Sequence, residues 1–483
     1  MEVKTGKTED SNGRGGRQVA RGLAVATLAL FALLPGCWGG GGSDDAGVVG
    51  PRFVFFSADD GTSGVELWKS DGTDAGTVRV KDINPGTGAS GPFFFTAFNG
   101  ALYFRANDGA SGLELWKTDG TDAGTVRVKD INPGAGSSTP LGLTVFNGAL
   151  YFQASDTAAG AELWKTDGTD AGTVRVKDII PGPFGSFPIG FTVFNGALYF
   201  QADDGASGIE LWKTDGTETG TVRVKDISPG PSSSNPFAFG SAVFNSELYF
   251  AAGDAAGVEL WKSDGTEIGT VRVKDINPGT PGSLPRGFTV FNGELYFQAD
   301  DGASGIELWK TDGTETGTVR VKDINPGTSS SRPGAFTVFN GELYFQADNG
   351  ASGIELWKSD GTDTGTVLVK DINPGASLSF PSGFAVFNGA LYFQATDAAA
   401  GGELWKTDGT DAGTVRVTDI NPGPNNSGTV SLTVVNGALY FQAFDAVAGA
   451  ELWKTDGTET GTVRVKDINP GAGHSFPGGL APF

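Results

Sequence analysis

Residues 306–324 read Ile-Glu-Leu-Trp-Lys-Thr-Asp-Gly-Thr-Glu-Thr-Gly-Thr-Val-Arg-Val-Lys-Asp-Ile, and close variants of this stretch recur through most of the chain. The tryptophan of the phrase Glu-Leu-Trp-Lys occurs nine times, at intervals of 48 residues with a single interval of 49. These residues are Trp68, Trp116, Trp164, Trp212, Trp261, Trp309, Trp357, Trp405 and Trp453. A period this constant is typical of a repeat architecture, so we expect an array of like units.

Each copy contains four strand-like runs, which in the copy around Trp309 are residues 288–291, 295–298, 306–310 and 319–324. The dipeptide Asn-Gly joins the first two runs, and between apolar runs it is typical of a type I′ hairpin. Two glycines and an aspartate lie between the third and fourth runs, where they can reverse the chain. Four strands in about 48 residues match the size of a β-propeller blade.

The two ends of the array predict that it closes into a ring. The first copy starts at its second strand, residues 53–56, and the last copy stops at residues 479–483, where other copies have their first strand. Pairing Leu480 and Phe483 beside Phe53 and Phe55 would complete the ninth blade and leave no open edge. The sequence therefore predicts an all-β propeller of about nine four-stranded blades over residues 52–483. An open β solenoid of the same units is the alternative.

Residues 1–36 have the pattern of a lipoprotein signal peptide. Basic residues precede an apolar stretch, residues 23–34, which is too short to be a transmembrane helix. The stretch ends in Leu-Pro-Gly-Cys, which resembles the bacterial lipobox, and Cys37 is the only cysteine of the chain. The resemblance implies lipidation of Cys37, with residues 37–51 as a Gly-rich tether. We therefore expect an exported lipoprotein of the outer membrane or cell surface. A cleaved signal with an incidental cysteine is the alternative.

The repeated phrase also carries a family resemblance. Glu-Leu-Trp-Lys-Ser/Thr-Asp-Gly-Thr followed by Gly-Thr resembles the bacterial ELWxxDGT repeat proteins, and the likeness covers roughly residues 53–483. That family is named for its motif, so the resemblance implies no particular reaction. The segment Asp74-Ala75-Gly76 is similar to the Asp-box turn of sialidase-type propellers, which implies a structural role for this loop.

Several roles are open to the repeated residues. We expect the tryptophans to pack between blades, with sugar stacking as the alternative. If Ser70 and Thr77 pair across the hairpin, then Trp68 faces Arg79 and Glu66 faces Lys81, which would allow cation–π and charge pairs. These are the structural roles expected of the two outer strands.

The acidic residues bear on partners and cofactors. The net charge is −22, which disfavours nucleic acid as a partner. The Asp-Gly-Thr-Asp/Glu loops carry oxygen ligands that calcium could use, but they lack the spacing of a dedicated calcium loop. We therefore predict no cofactor and no metal, with calcium as the alternative, and we expect a monomer.

The blade-to-blade loops differ most between copies, and rigid scaffolds usually carry function in such loops. Neutral sequence drift of surface loops explains the same variety, so a binding rim and unselected loops both stay open. Catalysis is poorly supported, because His474 is the only histidine and near-identical copies offer no distinct acid/base pair. We therefore predict no catalytic residues and no enzyme. The candidate binding rim consists of Phe184, Phe187, Arg286, Arg332, Phe380, His474 and Phe476.

The sequence as a whole predicts an anchored, non-catalytic binding or scaffold module for a protein or polysaccharide. One alternative is a lipoprotein that scaffolds envelope assembly. The other is a glycan-cleaving propeller enzyme. Both alternatives rest on analogy of fold alone.

Overall fold

The computed structural model describes residues 52–483, which form nine four-stranded antiparallel sheets arranged as a propeller, and this part of the chain contains no helix. The predicted nine-bladed β-propeller is confirmed. None of the described residues belongs to a helix that is long and apolar enough to cross a membrane. The predicted signal peptide, Cys37 and the tether, residues 1–51, lie outside the described residues.

The strands are numbered in chain order, and each blade is listed from the axis outward except the first. Blade 1 contributes β1 (Val54–Asp59), β2 (Val65–Ser70) and β3 (Val78–Lys81). Blades 2 to 4 are β4 (Phe93–Phe98), β5 (Ala101–Asn107), β6 (Leu113–Thr118), β7 (Val126–Lys129); β8 (Leu141–Phe146), β9 (Ala149–Asp156), β10 (Gly160–Thr166), β11 (Val174–Lys177); and β12 (Ile189–Phe194), β13 (Ala197–Asp203), β14 (Ile209–Thr214), β15 (Val222–Lys225).

The remaining blades follow the same order. Blades 5 to 7 are β16 (Ser241–Phe244), β17 (Glu247–Asp254), β18 (Gly257–Ser263), β19 (Val271–Lys274); β20 (Arg286–Phe291), β21 (Glu294–Asp300), β22 (Ile306–Thr311), β23 (Val319–Lys322); and β24 (Gly334–Phe339), β25 (Glu342–Asp348), β26 (Ile354–Ser359), β27 (Val367–Lys370). Blades 8 and 9 are β28 (Ser382–Phe387), β29 (Ala390–Asp397), β30 (Gly401–Thr407), β31 (Val415–Arg416); and β32 (Val430–Val435), β33 (Ala438–Asp445), β34 (Gly449–Thr455), β35 (Val463–Lys466). The last strand, β36 (Gly478–Pro482), completes blade 1.

The ring closes through pairing of the two ends of the array. Strand β36 lies antiparallel to β1, so that Phe55 faces Ala481 and Val54 faces Pro482. Phe53 and Phe483 exchange both backbone hydrogen bonds, at 3.1 and 3.0 Å. Each blade's innermost strand also contacts the innermost strands of the two neighbouring blades, without a break around the axis. The open solenoid is therefore excluded.

The hydrophobic core is divided into nine clusters, each shared by two neighbouring blades. Between blades 3 and 4, for example, Trp212, Leu198 and Phe200 of one blade pack against Tyr151 and Leu163 of the other. A single blade thus cannot bury its own apolar faces, and the stability of each depends on its neighbours.

The hairpin between the first two strands of a blade has the predicted geometry. Asn147 and Gly148 both have positive φ, 46° and 71°, as a type I′ turn requires. The glycine of the Asp-Gly-Thr loop is required because a neighbouring blade lies close to it. A Cβ at Gly168 would collide with the hydroxyl of Tyr103, which belongs to the preceding blade. This glycine therefore lets neighbouring blades approach.

Candidate functional site

Antiparallel strands place the connections on two opposite ends of the ring. The hairpin rim carries the Asn-Gly hairpins and the Asp-Gly-Thr loops. The loop rim carries the turns between second and third strands and the inter-blade loops, such as residues 82–92. The loop rim is the end that bears the candidate binding residues.

A buried glutamate holds each inter-blade loop in place. Glu66, the glutamate of Glu-Leu-Trp-Lys in blade 1, is fully buried. Its carboxylate accepts hydrogen bonds from the amide of Ile83 (2.8 Å) and from both the amide (3.0 Å) and the hydroxyl (2.7 Å) of Ser90. The equivalent glutamates of the other eight copies are also fully buried: Glu114, Glu162, Glu210, Glu259, Glu307, Glu355, Glu403 and Glu451. This repeated clamp was not predicted, although the invariance of the glutamate between copies was a visible signal.

Burial raises the pKa of these glutamates above its ordinary value, and for Glu355, Glu403 and Glu451 it reaches about 7. In Glu355 and Glu403 one carboxylate oxygen is buried without a hydrogen-bond partner. Because fewer hydrogen-bond donors contact these two carboxylates, the cost of burying the charged form is less compensated, which agrees with their high pKa values.

The predicted register between the two outer strands is only partly correct. The hydroxyls of Ser70 and Thr77 do bond across the hairpin (2.7 Å), and Trp68 faces Arg79. The predicted pair of Glu66 with Lys81 is wrong, because a β-bulge shifts the register and places Lys81 opposite Leu67.

The charged groups of the outer strands pair elsewhere. Lys81 reaches the next blade, where its Nζ lies 2.9 Å from a carboxylate oxygen of Asp122. Arg79 bonds the hydroxyl of Ser63 and lies near Asp60, 3.6 Å away. Within residues 52–483 no cation–π contact joins a repeat arginine to a tryptophan. The charge pairs therefore stabilise the packing of blades and turns rather than the predicted cross-strand pairs.

After the buried serine, each inter-blade loop has one residue in the left-handed region of backbone conformation. The residue that follows Ser90 and its equivalents has positive φ in all nine copies. These residues are Gly91, Thr139, Phe187, Asn235, Leu284, Arg332, Phe380, Gly428 and Phe476. In eight copies a proline comes next, and the innermost strand follows. A left-handed residue that is not glycine costs conformational energy, and such strain clusters at functional sites. We call this residue the presented position.

The structure places all seven predicted rim residues on the loop rim. Three of the phenylalanines occupy the presented position, and Phe187, Phe380 and Phe476 are 60%, 46% and 58% exposed. Phe184 lies further along its loop and is 75% exposed. Arg332 occupies the presented position in blade 7. The seven residues lie in, or directly after, five of the nine inter-blade loops, so they are distributed along the rim rather than gathered in one pocket.

His474 has a structural partner. Its Nδ1 accepts a hydrogen bond from the amide of Ala450 (3.1 Å), and its ring stacks between Phe444 and Phe476. In blade 2 the hydroxyl of Ser137 accepts the equivalent bond, from Leu113. A catalytic triad instead needs Nδ1–H to donate to a carboxylate, so this geometry is not that of a triad.

Sequence reasoning missed a second feature of this rim, in blade 2. Arg105 stands where six other copies have glutamine, and Phe94 stands where most copies have glycine. The guanidinium carbon of Arg105 lies 4.6 Å from the ring centre of Phe94, and Phe94 has φ of 60°. Burial lowers the pKa of Arg105. Paired departures from the repeat at two neighbouring positions were the signal that could have revealed this site.

The opposite, hairpin rim is more uniform. The Asp71 carboxylate accepts hydrogen bonds from the amide (2.8 Å) and hydroxyl (2.7 Å) of Thr73, and these bonds lower its pKa. The aspartate thus shapes its own turn. Within residues 52–483, no three His, Cys, Asp or Glu side chains converge in a way that could hold a metal ion.

The tryptophans lie in the clusters between blades, and all but Trp453 are buried by their environment. Trp212, for instance, packs on Tyr151 and Val176 of the preceding blade. Their indole nitrogens are buried and have no hydrogen-bond partner within the described part of the protein. A ring held between two blades offers no free face for a sugar.

No family model matches this chain, and no curated protein shows significant similarity to it. Similar solved structures include the computationally designed Ika8 protein, with 12% identity and a TM-score of 0.40 over 70% of this chain and 90% of that one. A puromycin hydrolase has 13% identity and a TM-score of 0.39, over 73% of this chain and 58% of its own. A prolyl endopeptidase has 13% identity and a TM-score of 0.40, over 75% and 53%. The chain thus spans little more than half of each hydrolase. Likenesses this distant carry no argument about activity.

Proposed function

We propose that this chain is a lipid-anchored, non-catalytic binding module of the cell envelope, whose ligand docks on the loop rim around the axis. One observation carries the proposal. The residue in the presented position is held by a buried glutamate, a buried serine and, in most copies, a proline, yet its own identity changes from copy to copy. A constant support for variable, exposed side chains is the arrangement expected of a binding surface.

The point where the chain enters the propeller supports a loop rim that is open to a ligand. Phe53 pairs with Phe483 at the hairpin end of β36, and the side-chain amide of Asn436 donates to the carbonyl of Arg52 (2.9 Å). An anchor at Cys37 would therefore attach through the hairpin rim. The loop rim would then face away from the membrane, toward a ligand.

The test uses three substitutions at the presented position, Phe187→Asn, Phe380→Asn and Phe476→Asn, in one chain. Asparagine occurs at this position as Asn235, and it tolerates positive φ, so the fold should be kept. The control chain carries three substitutions on the hairpin rim, Glu218→Gln, Glu267→Gln and Glu315→Gln.

Both chains and the wild type are titrated against a panel of purified envelope polysaccharides and envelope proteins. We expect the loop-rim variant to lose at least tenfold in affinity and the hairpin-rim variant to keep wild-type binding. Equal binding by the loop-rim variant, or loss confined to the hairpin-rim variant, would contradict the proposal. Release of the protein from intact cells by added protease would support display at the cell surface.

A further inference from the structure

Three arginines of the loop rim lack the carboxylate partner that the other rim arginines have. The eight repeat arginines of the outer strands each lie within 4 Å of an aspartate; Arg79 and Arg127 are examples. Among residues 52–483, no carboxylate lies that close to Arg105, Arg286 or Arg332. In a chain with net charge −22, cations left without a carboxylate need a reason.

Arg105 is the most constrained of the three. It lies on β5, the second strand of blade 2, and faces Phe93, the first residue of the innermost strand β4, at the end that opens on the loop rim. Its Nε is buried without a hydrogen-bond partner, although its guanidinium rests on Phe94. A cation over an aromatic face keeps its charge and its outer N–H groups available to a ligand.

Arg286 repeats this pairing on the far side of the ring. Its guanidinium carbon lies 5.8 Å from the ring centre of Phe239, which belongs to the preceding blade. Arg286 starts the innermost strand of blade 6, and Arg332 occupies the presented position before that of blade 7. Arg286 and Arg332, which have no carboxylate partner within the described part of the chain, thus stand four and five blades away from Arg105 around the axis. Arg286 also donates a hydrogen bond from its Nε to the side-chain amide oxygen of Gln298.

We propose that Arg105 and Phe94 form a subsite for a carboxylate-bearing sugar of an acidic polysaccharide, with Arg286 and Arg332 as further contacts along the same chain. The inference rests on the proposed binding function and names its ligand class. Guanidinium groups match carboxylates in a two-bond geometry, and the exposed rings of the presented position, such as Phe187 and Phe380, suit the apolar face of a sugar.

The spacing of these residues favours an extended polymer over a folded protein. Protein interfaces concentrate their energetic anchors in one central cluster. Here the arginines and phenylalanines are spread around the rim, as successive units of one extended chain would require. The strongly acidic body opposes dense polyanions, so widely spaced carboxylates fit better than a phosphate backbone.

The test compares a hyaluronan oligomer, which carries a carboxylate on every second sugar, with the fully methyl-esterified oligomer of the same length, by titration calorimetry on the intact protein. Arg105→Gln introduces the residue that six other copies carry, so the fold should be kept. Arg127→Gln removes an equal charge from the outer strand of the same blade and serves as the matched control. A polyglutamate of similar length is the acidic peptide probe.

We expect the wild type to prefer the acidic oligomer over its ester. Arg105→Gln should weaken binding of the acidic oligomer roughly tenfold or more and leave the ester unaffected, whereas Arg127→Gln should change neither by more than about twofold. The proposal is overturned if the acidic oligomer fails to bind, if Arg105→Gln binds it as wild type does, or if polyglutamate binds as tightly through Arg105. If Arg105→Gln has no effect while the triple phenylalanine variant still loses its ligand, only this inference fails and the proposed function stands.

Discussion

Removal of one loop clamp should loosen one side of the ring, and blade 5 offers a clear case. Glu259 accepts hydrogen bonds from the amides of Ile276 (2.9 Å) and Ser283 (2.9 Å) and from the Ser283 hydroxyl (2.6 Å). The substitution Glu259→Ala leaves these three donors buried without an acceptor. Each orphaned donor costs about 1–3 kcal/mol, so the gross loss for three donors is about 3–9 kcal/mol.

Part of this loss is offset, because the pKa of Glu259 is raised by burial and its removal relieves that cost. We therefore expect a net local destabilisation of about 2–4 kcal/mol, which corresponds to roughly a 100-fold loss of amide protection in residues 276–284. Hydrogen exchange with mass spectrometry measures this directly. Glu267→Ala, on the exposed hairpin loop of the same blade, is the control. If both variants exchange alike, the glutamate does not hold the loop and the reasoning fails.

Four further predictions follow from the same contacts. A glutamate with a raised pKa contributes stability that is present below its unfolded pKa of 4.5 and is lost as the pH rises through about 7, so the melting temperature should be higher at pH 5.5 than at pH 8. The substitution Glu355→Gln should reduce this pH dependence of the melting temperature more than the exposed Glu315→Gln does. Equal pH dependence in the two variants would contradict the prediction. Deletion of residues 478–483 removes β36, so it should lower the melting temperature and promote self-association through the bare edge of β1; an unchanged monomer would argue against closure as a source of stability. Trp212→Ala should cost about 3–5 kcal/mol by denaturant unfolding, and wild-type stability with lost glycan binding would overturn its packing role. Cys37→Ser should move the protein from the detergent phase to the aqueous phase, and unchanged partitioning would refute the anchor.

The array of blades could be predicted because it is governed by short-range rules. The Asn-Gly turns, the alternation of apolar residues and the repeat period each act within one copy, and together they fix four strands per blade. The first copy lacks its innermost strand, and the chain ends with one additional innermost strand, so the sequence predicted closure of the ring. The pairing of Phe53 with Phe483 confirms it.

The roles of single residues were less accessible, and Glu66 illustrates why. Its position in an alternating strand indicated a partner across the hairpin, but Val80 of β3 is an extra residue between the pairs Trp68–Arg79 and Leu67–Lys81, and Lys81 reaches the next blade. A bulge leaves no reliable mark in the sequence of one strand, since it depends on the pairing of two.

The sequence by itself determined the repeat, the strand content, the number of blades and the means of closure, since all of these follow from periodicity and turn chemistry along the chain. Only the tertiary structure decided which side chains share the loop rim. Arg105 and Phe94 are eleven residues apart and Arg286 is far along the chain, yet curvature of the ring brings them to one rim. Arg105 and Phe94 meet within the hairpin of one blade, whereas the place of Arg286 on the same rim depends on how the nine blades pack, which is set by contacts between copies rather than within them.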